Sequence, residues 1–188
     1  MSQYEMEGTL RLYLGQLFEE ESVNQGWYAS AGIRYAYFKF YTYDLIQWIG
    51  TSRTVLVSAI GPGNSLANSQ LQFPMGAGYR RSIGNWTFDG TFYYLSGYND
   101  SRDFHVQRNI NFEVDRATGN GFLFRLGFDY LLDEHTAVGL RFFGLRYYSR
   151  GFLTSRGGLG QEALAVALSG KQNVWLSTKE AGAEFSLS

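Results

Sequence analysis

Residues 121–132 read Gly-Phe-Leu-Phe-Arg-Leu-Gly-Phe-Asp-Tyr-Leu-Leu, and the fold turns on how they are understood. Phe122, Phe124, Leu126, Phe128, Tyr130 and Leu132 share one parity, while Arg125, Gly127 and Asp129 share the other. A period of two held without a slip places one set on each face of a β-strand. The run is long enough to cross a bilayer, which takes about 9–11 tilted strand residues. The same alternation recurs near 9–18, 27–37, 70–80, 85–98, 136–143 and 174–187, with a further strand somewhere in 40–60. That makes seven or eight strands, and the even numbers of bacterial single-chain barrels favour eight. The expected fold is all-β, an antiparallel transmembrane β-barrel formed by residues 1–188 as one domain.

Composition agrees with this reading. The chain has 188 residues, 18% aromatic, with 23 Gly and 2 Pro, which suits a single all-β domain better than a helical one. No window approaches eighteen consecutive apolar residues, so a transmembrane helix is not expected. The mean hydropathy of -0.22 is what a barrel gives when each lipid-facing residue alternates with a lumen-facing one. A net charge of -1 offers no basic field for nucleic acid. The absence of Cys excludes thiol catalysis and a disulfide scaffold. No basic segment followed by an apolar one precedes the first strand, so the sequence reads as a mature form whose signal peptide has been removed.

Two connections are very short, Arg81-Ser82-Ile83-Gly84 and Asp133-Glu134-His135. Those around 50–69, 99–120 and 150–173 are long and rich in Gly, Ser and Asn. Short turns on one rim and long loops on the other is the outer-membrane asymmetry, with the short turns periplasmic and the long loops extracellular. Trp27, Trp86 and Trp175 lie near strand starts, where amphipathic rings anchor at lipid headgroups. The final run Glu180-Ala181-Gly182-Ala183-Glu184-Phe185-Ser186-Leu187 resembles the C-terminal signal by which the barrel assembly machinery receives outer-membrane proteins. It departs from that pattern at the end, which is Leu187-Ser188 rather than an aromatic residue.

A soluble lipocalin-like ligand-binding barrel would alternate in the same way with its faces exchanged. The polar face decides between the two. It holds Gly15, Gly32, Gly76, Gly78, Gly127, Gly139 and Gly182, which suit a crowded narrow lumen. Its charges are mostly Arg, whereas a soluble β-protein guards exposed faces and edges with Lys and Glu. On the membrane reading Arg11, Arg34, Arg80, Arg125 and Arg141 point inward with Asp89, Asp129, Glu180 and Glu184. In a bore only wide enough for side chains, Arg–carboxylate forks satisfy one another and form a structural plug.

With only His105 and His135, no metal-ligand spacing and no Ser-His-Asp set can be built, and no cofactor-binding motif is present. His135 reads as a turn residue. Asp103-Phe104-His105 is more suggestive, because residues two apart on a strand share a face and a carboxylate there can orient an imidazole that activates water.

The run Gln72-Phe73-Pro74-Met75 to Gly78-Tyr79-Arg80, then Trp86 to Tyr98, then Asp103-Phe104-His105 and Arg108-Asn109-Ile110-Asn111-Phe112, resembles the second half of the omptin family of outer-membrane endopeptidases. The resemblance covers residues 70–188. It implies an Asp-x-His dyad, here Asp103 and His105, facing an acidic pair across the barrel, with water held between them and cleavage beside basic residues. Omptins have ten strands and carry the acidic pair in a longer N-terminal half. Residues 1–69 hold no Asp-x-Asp, so the resemblance supplies half of a catalytic site.

The leading expectation is a non-enzymatic outer-membrane barrel whose surface loops contact a partner or whose narrow bore passes small solutes. The omptin-like endopeptidase is the alternative, and the soluble barrel the second. Expected partners are outer-membrane lipid and lipopolysaccharide, whose phosphates Arg102, Arg108 and Arg116 in one loop and Arg150 and Arg156 in another could meet as bidentate donors.

Overall fold

The structure is a computed structural model that describes residues 2–17, 25–49, 54–134 and 136–187. His135 lies outside the described residues, as do residues 18–24 and 50–53. The strands are β1 (Ser2–Tyr13), β2 (Gly26–Ile49), β3 (Thr54–Ile83), β4 (Trp86–His105), β5 (Ile110–Leu131), β6 (Ala137–Gly157) and β7 (Gln172–Leu187). A short 3-10 turn follows β1 at Leu14–Leu17, and one helix, α1 (Gln161–Leu168), lies between β6 and β7. Each strand pairs antiparallel with the next in a single meander ordered β1 to β7. No described helix is long and apolar enough to cross a membrane.

The strand number among the described residues is seven, where the sequence favoured eight. The difference arises at Tyr37-Phe38-Lys39-Phe40-Tyr41, which carries no Gly, Pro or Asn to end a strand. β2 therefore continues as one strand of 24 residues instead of two shorter ones. The expected long loops are corrected as well, although their composition is rich in Gly, Ser and Asn. Residues 60–69, 99–105, 110–120 and 150–157 extend β3, β4, β5 and β6, and the β4–β5 connection is only 106–109. Gly, Ser and Asn favour loops, but here they lie in antiparallel ladders interrupted only by the irregularities between Asn99 and Ser101 and between Val114 and Thr118 along β4, β5 and β6.

Outward side chains form a belt. From Trp86 to Tyr98, β4 turns Trp86, Phe88, Phe92, Tyr94 and Tyr98 outward, all substantially exposed. Their neighbours across the sheet include Phe122, Phe124, Leu140, Phe142, Phe73 and Met75. Twelve residue steps at about 3.3 Å, tilted about 45°, span about 28 Å, close to the ~30 Å hydrocarbon thickness. Trp27 packs edge-on against Tyr79, and Trp86 lies 4.7 Å from Tyr130, near the short-turn rim. Trp175 sits at the opposite border, level with Tyr98 through the pairs Arg150↔Trp175, Thr118↔Arg150 and Tyr98↔Thr118. An outward apolar belt bordered by aromatic rings is the arrangement of a lipid-facing wall, the reverse of a soluble barrel.

The sheet curls until side chains of β1 and β2 reach β5 and β7, although β1 and β7 do not pair. Glycines permit that curvature. A Cβ on Gly78 would enter the Tyr28 ring, and one on Gly182 would enter the Phe143 ring.

Candidate functional site

The lumen is layered, and the layers follow from register. Beginning near the short-turn rim, one row across five strands reads Arg80, Asp89, Gly127, Arg141 and Glu184. These line a cavity of about 630 Å³ together with Asp129. Arg11 closes its upper wall, donating from Nη1 to Asp89 Oδ2 at 2.6 Å. The Arg11 guanidinium lies 4.8 Å from the Tyr28 ring centroid. The Tyr28 hydroxyl donates to the other Asp89 oxygen at 2.6 Å. Asp89 is thereby held by two donors from β1 and β2.

Above this, Arg125 forks onto both oxygens of Glu7. Arg34 is the hub of the next level. Its Nε donates to Glu5 Oε1 at 2.6 Å, its Nη1 to Gln72 Oε1 at 2.7 Å, and its Nη2 to Glu180 Oε2 at 3.0 Å. The Arg34 side chain is only 3% exposed, so one guanidinium ties β1, β3 and β7 together inside the curl. An amide ladder continues upward. Gln72 Nε2 donates to Gln70 Oε1 at 3.0 Å, Gln70 Nε2 to Asn68 Oδ1 at 3.2 Å, and Asn68 Nδ2 to Asn99 Oδ1 at 2.7 Å.

Of the nine charged residues expected inward, Arg11, Arg34, Asp89, Arg125 and Glu180 are joined through ion pairs. Arg80, Asp129, Arg141 and Glu184 line the lower cavity and make no ion pair among the described residues. Two key partners, Glu5 and Glu7, lie before the strand expected from residue 9, because β1 begins at Ser2. The signal was present: Glu5, Glu7 and Arg11 share a parity opposite to Tyr4, Met6, Leu10 and Leu12.

The lumen is also less polar than expected. Tyr93, Leu95, Leu123, Leu145 and Tyr147 form a buried cluster on the inward face, with Phe143 against it. Sequence parity assigned polarity inward along the whole length. Where these inward side chains pack against one another, however, water is excluded, so apolar groups are stable there. The Tyr147 hydroxyl is buried without a hydrogen-bond partner among the described residues.

Asp103 and His105 share a face at the far end of β4, with His105 Nε2 3.1 Å from Asp103 Oδ2. The ring also meets Phe112 edge-on at 5.1 Å. Their register partners on β3 are Leu66 and Asn64, and those on β5 are Phe112 and Ile110. No acidic residue stands among these partners. No group of three or more His, Cys, Asp or Glu among the described residues could hold a metal ion.

The arginines expected in loops are separated by the structure. Arg108 is engaged by Glu162 of α1 at 2.7 Å, and Arg150 stacks over Trp175 at 4.6 Å. Arg116 takes a positive φ of 47°, and its N–H is accepted by Asp100. Arg102 and Arg156 line a second cavity above the belt. Lys39 borders it too. A hydrogen bond to Tyr41 raises the Lys39 pKa above the ordinary lysine value, with its Nζ 5.0 Å from that ring's centroid.

The sequence model of a protein family described as "Putative porin" matches residues 2–185. No curated protein matches the chain.

Proposed function

The chain belongs to this porin family and is an integral β-barrel protein of the outer membrane; on that premise we propose that its lumen is a narrow passage for small polar solutes, closed at mid-height by ion pairs. The observation that carries this reading is the Arg34 hub, a buried guanidinium shared by Glu5, Glu180 and Gln72 directly beside a cavity lined by charged residues. Such a hub closes the bore without a covalent lock. Each bond is individually modest, and a solute carrying its own charge can replace one partner with another. The short-turn rim faces the periplasm in this proposal, and the strand extensions face the outside. Passage requires no enzyme chemistry, and the protein acts as a wall and filter. β7 presents Phe185 and Leu187 outward along an edge with no paired strand among the described residues, which supports its role as the strand received by the assembly machinery.

Conductance in planar bilayers tests the proposal. The wild-type protein is expected to show a small, intermittent conductance, and Arg34→Met with Arg125→Met a larger and steadier one. A large, constant wild-type conductance would overturn closure by these ion pairs.

A second reading is favoured by one observation, the Asp103–His105 contact, which supports an omptin-like endopeptidase. Turnover of a dibasic fluorogenic peptide by the refolded barrel, lost in His105→Ala, would establish it. Equal inertness of both proteins would leave the dyad as a rim contact.

A further inference from the structure

The second cavity, of about 750 Å³, lies on the face opposite the lumen. Register establishes this. Lys39 pairs with Ala67, Ala67 with Arg102, Arg102 with Glu113, and Glu113 with Thr154, one row across β2 to β6. Along β4, Arg102 has the parity of Tyr94 and Tyr98, which face lipid. Along β5 the parity changes only at the irregularity between Val114 and Thr118, and this brings Glu113 onto the same side as Phe122 below it. The face that meets lipid in the belt therefore becomes a polar trough immediately above it.

The charges in this trough are unequally engaged. Asp100 accepts the Arg116 N–H and Glu113 accepts from Asn111 Nδ2 at 2.7 Å, while Asp115 lines the trough without an ion pair among the described residues, leaving three carboxylates against the four cations Lys39, Arg102, Arg156 and Lys171. The cations are less committed. Arg102 approaches Glu113 only at 4.0 Å with its side chain 76% exposed, and Lys39, Arg156 and Lys171 make no ion pair among the described residues. Phe104 and Phe152 also line the trough. Underused cations beside aromatic rings, placed where strands leave the hydrocarbon, match a phosphate-bearing headgroup: the cations meet the phosphate and the rings meet the sugar or the start of the acyl chain.

We propose that this trough binds the phosphorylated saccharide headgroup of lipopolysaccharide, holding one lipid against the outer wall. The proposal rests on the outward orientation of the strand extensions given above. It differs from attraction by solvated loop charges, because the ligand sits in a formed concavity on one face of five strands.

The test uses the full chain refolded in detergent and titrated with lipopolysaccharide, with binding read by native mass spectrometry. Wild type is expected to bind saturably, and Lys39→Ala/Arg102→Ala/Arg156→Ala to lose affinity at least tenfold while keeping the heat-modifiable gel mobility of a folded barrel. Unchanged affinity in the folded triple variant would overturn the site. If the triple variant fails to fold, Arg102→Glu alone is scored against Arg108→Glu, whose native partner is Glu162; equal losses would overturn the site. Competition by inorganic phosphate at matched phosphate concentration would overturn a headgroup and leave a free-phosphate site, and equal binding of phosphatidylglycerol would overturn selectivity for the saccharide. Orientation is scored separately. The chain has no Cys, so Gln107→Cys in the exposed β4–β5 connection and Asn85→Cys in the β3–β4 turn report the two rims to an impermeant maleimide on intact cells. Labelling at Asn85→Cys alone would reverse the orientation, whatever the detergent titration shows.

Discussion

Between Trp86 and Tyr98, and again between Asp100 and His105, β4 runs as one strand in unbroken register with β3, yet its two halves live in different solvents. In the lower half the outward parity carries Phe88, Phe92 and Tyr94, while the inward parity carries Asp89, Thr91 and Tyr93. In the upper half the same outward parity carries Asp100 and Arg102. Pairing with β3 is indifferent to this change, because ladder hydrogen bonds satisfy backbone N–H and C=O groups in either medium. The level at which side-chain chemistry changes, and not the end of the strand, therefore marks the membrane border.

This contrast can be broken most severely inside the belt. Arg34→Met should leave Glu5, Glu180 and Gln72 facing one another without their cation, and loss of one partner from a buried pair costs about 3–5 kcal/mol. Because both glutamates keep partial exposure, the lower figure is expected, read from urea unfolding in lipid vesicles. Adding Glu5→Gln and Glu180→Gln should recover part of the loss, as expected for residues of one network. Full additivity of the three changes would show that the hub is not a unit.

The next test compares the two halves directly. Phe124→Arg on the lipid face should cost about 2–4 kcal/mol, the cost of a cation near the bilayer midplane. Phe104→Arg, of the same outward parity but above the border, should cost less than about 1 kcal/mol. Equal costs would place the border elsewhere.

A smaller effect separates the inner from the outer face at one depth. Gly78→Ala would drive a methyl group into the Tyr28 ring and should cost about 1–3 kcal/mol through overpacking. Gly144→Ala meets nothing within 4 Å and should change stability by less than about 0.5 kcal/mol. The smallest effect has the opposite sign. Tyr147→Phe removes a buried hydroxyl that has no partner and should stabilise the barrel by about 1 kcal/mol, measured by the same unfolding assay. Destabilisation by that change would mean that the hydroxyl is hydrated within the plug.

Parity is a local property, and everything that depends on parity alone could be read from the chain. Residues 121–132 specify a strand with rings on one side and Arg125 and Asp129 on the other, because a pleated backbone sends alternate side chains to opposite faces wherever it is placed. The antiparallel meander, the lipid-facing aromatic belt and the inward arginines follow from repeating that pattern. Strand ends were less legible. Asn99, Gly119 and Ser149 look like loop residues, yet each lies in a long ladder, and Asn99 bonds on the inward face to Asn68 of the adjacent strand and to Ser149 of β6. Propensity is a weak guide where tertiary pairing supplies the missing partners. Only the curled sheet decided that Arg34 would meet Glu5 and Glu180, 29 and 146 residues away in sequence, that Tyr93, Leu123 and Tyr147 would be buried together on the inward face, and that Lys39, Arg102 and Arg156 would share one trough on the outward face. Those groupings depend on register and curvature accumulated over several strands, which no single segment encodes.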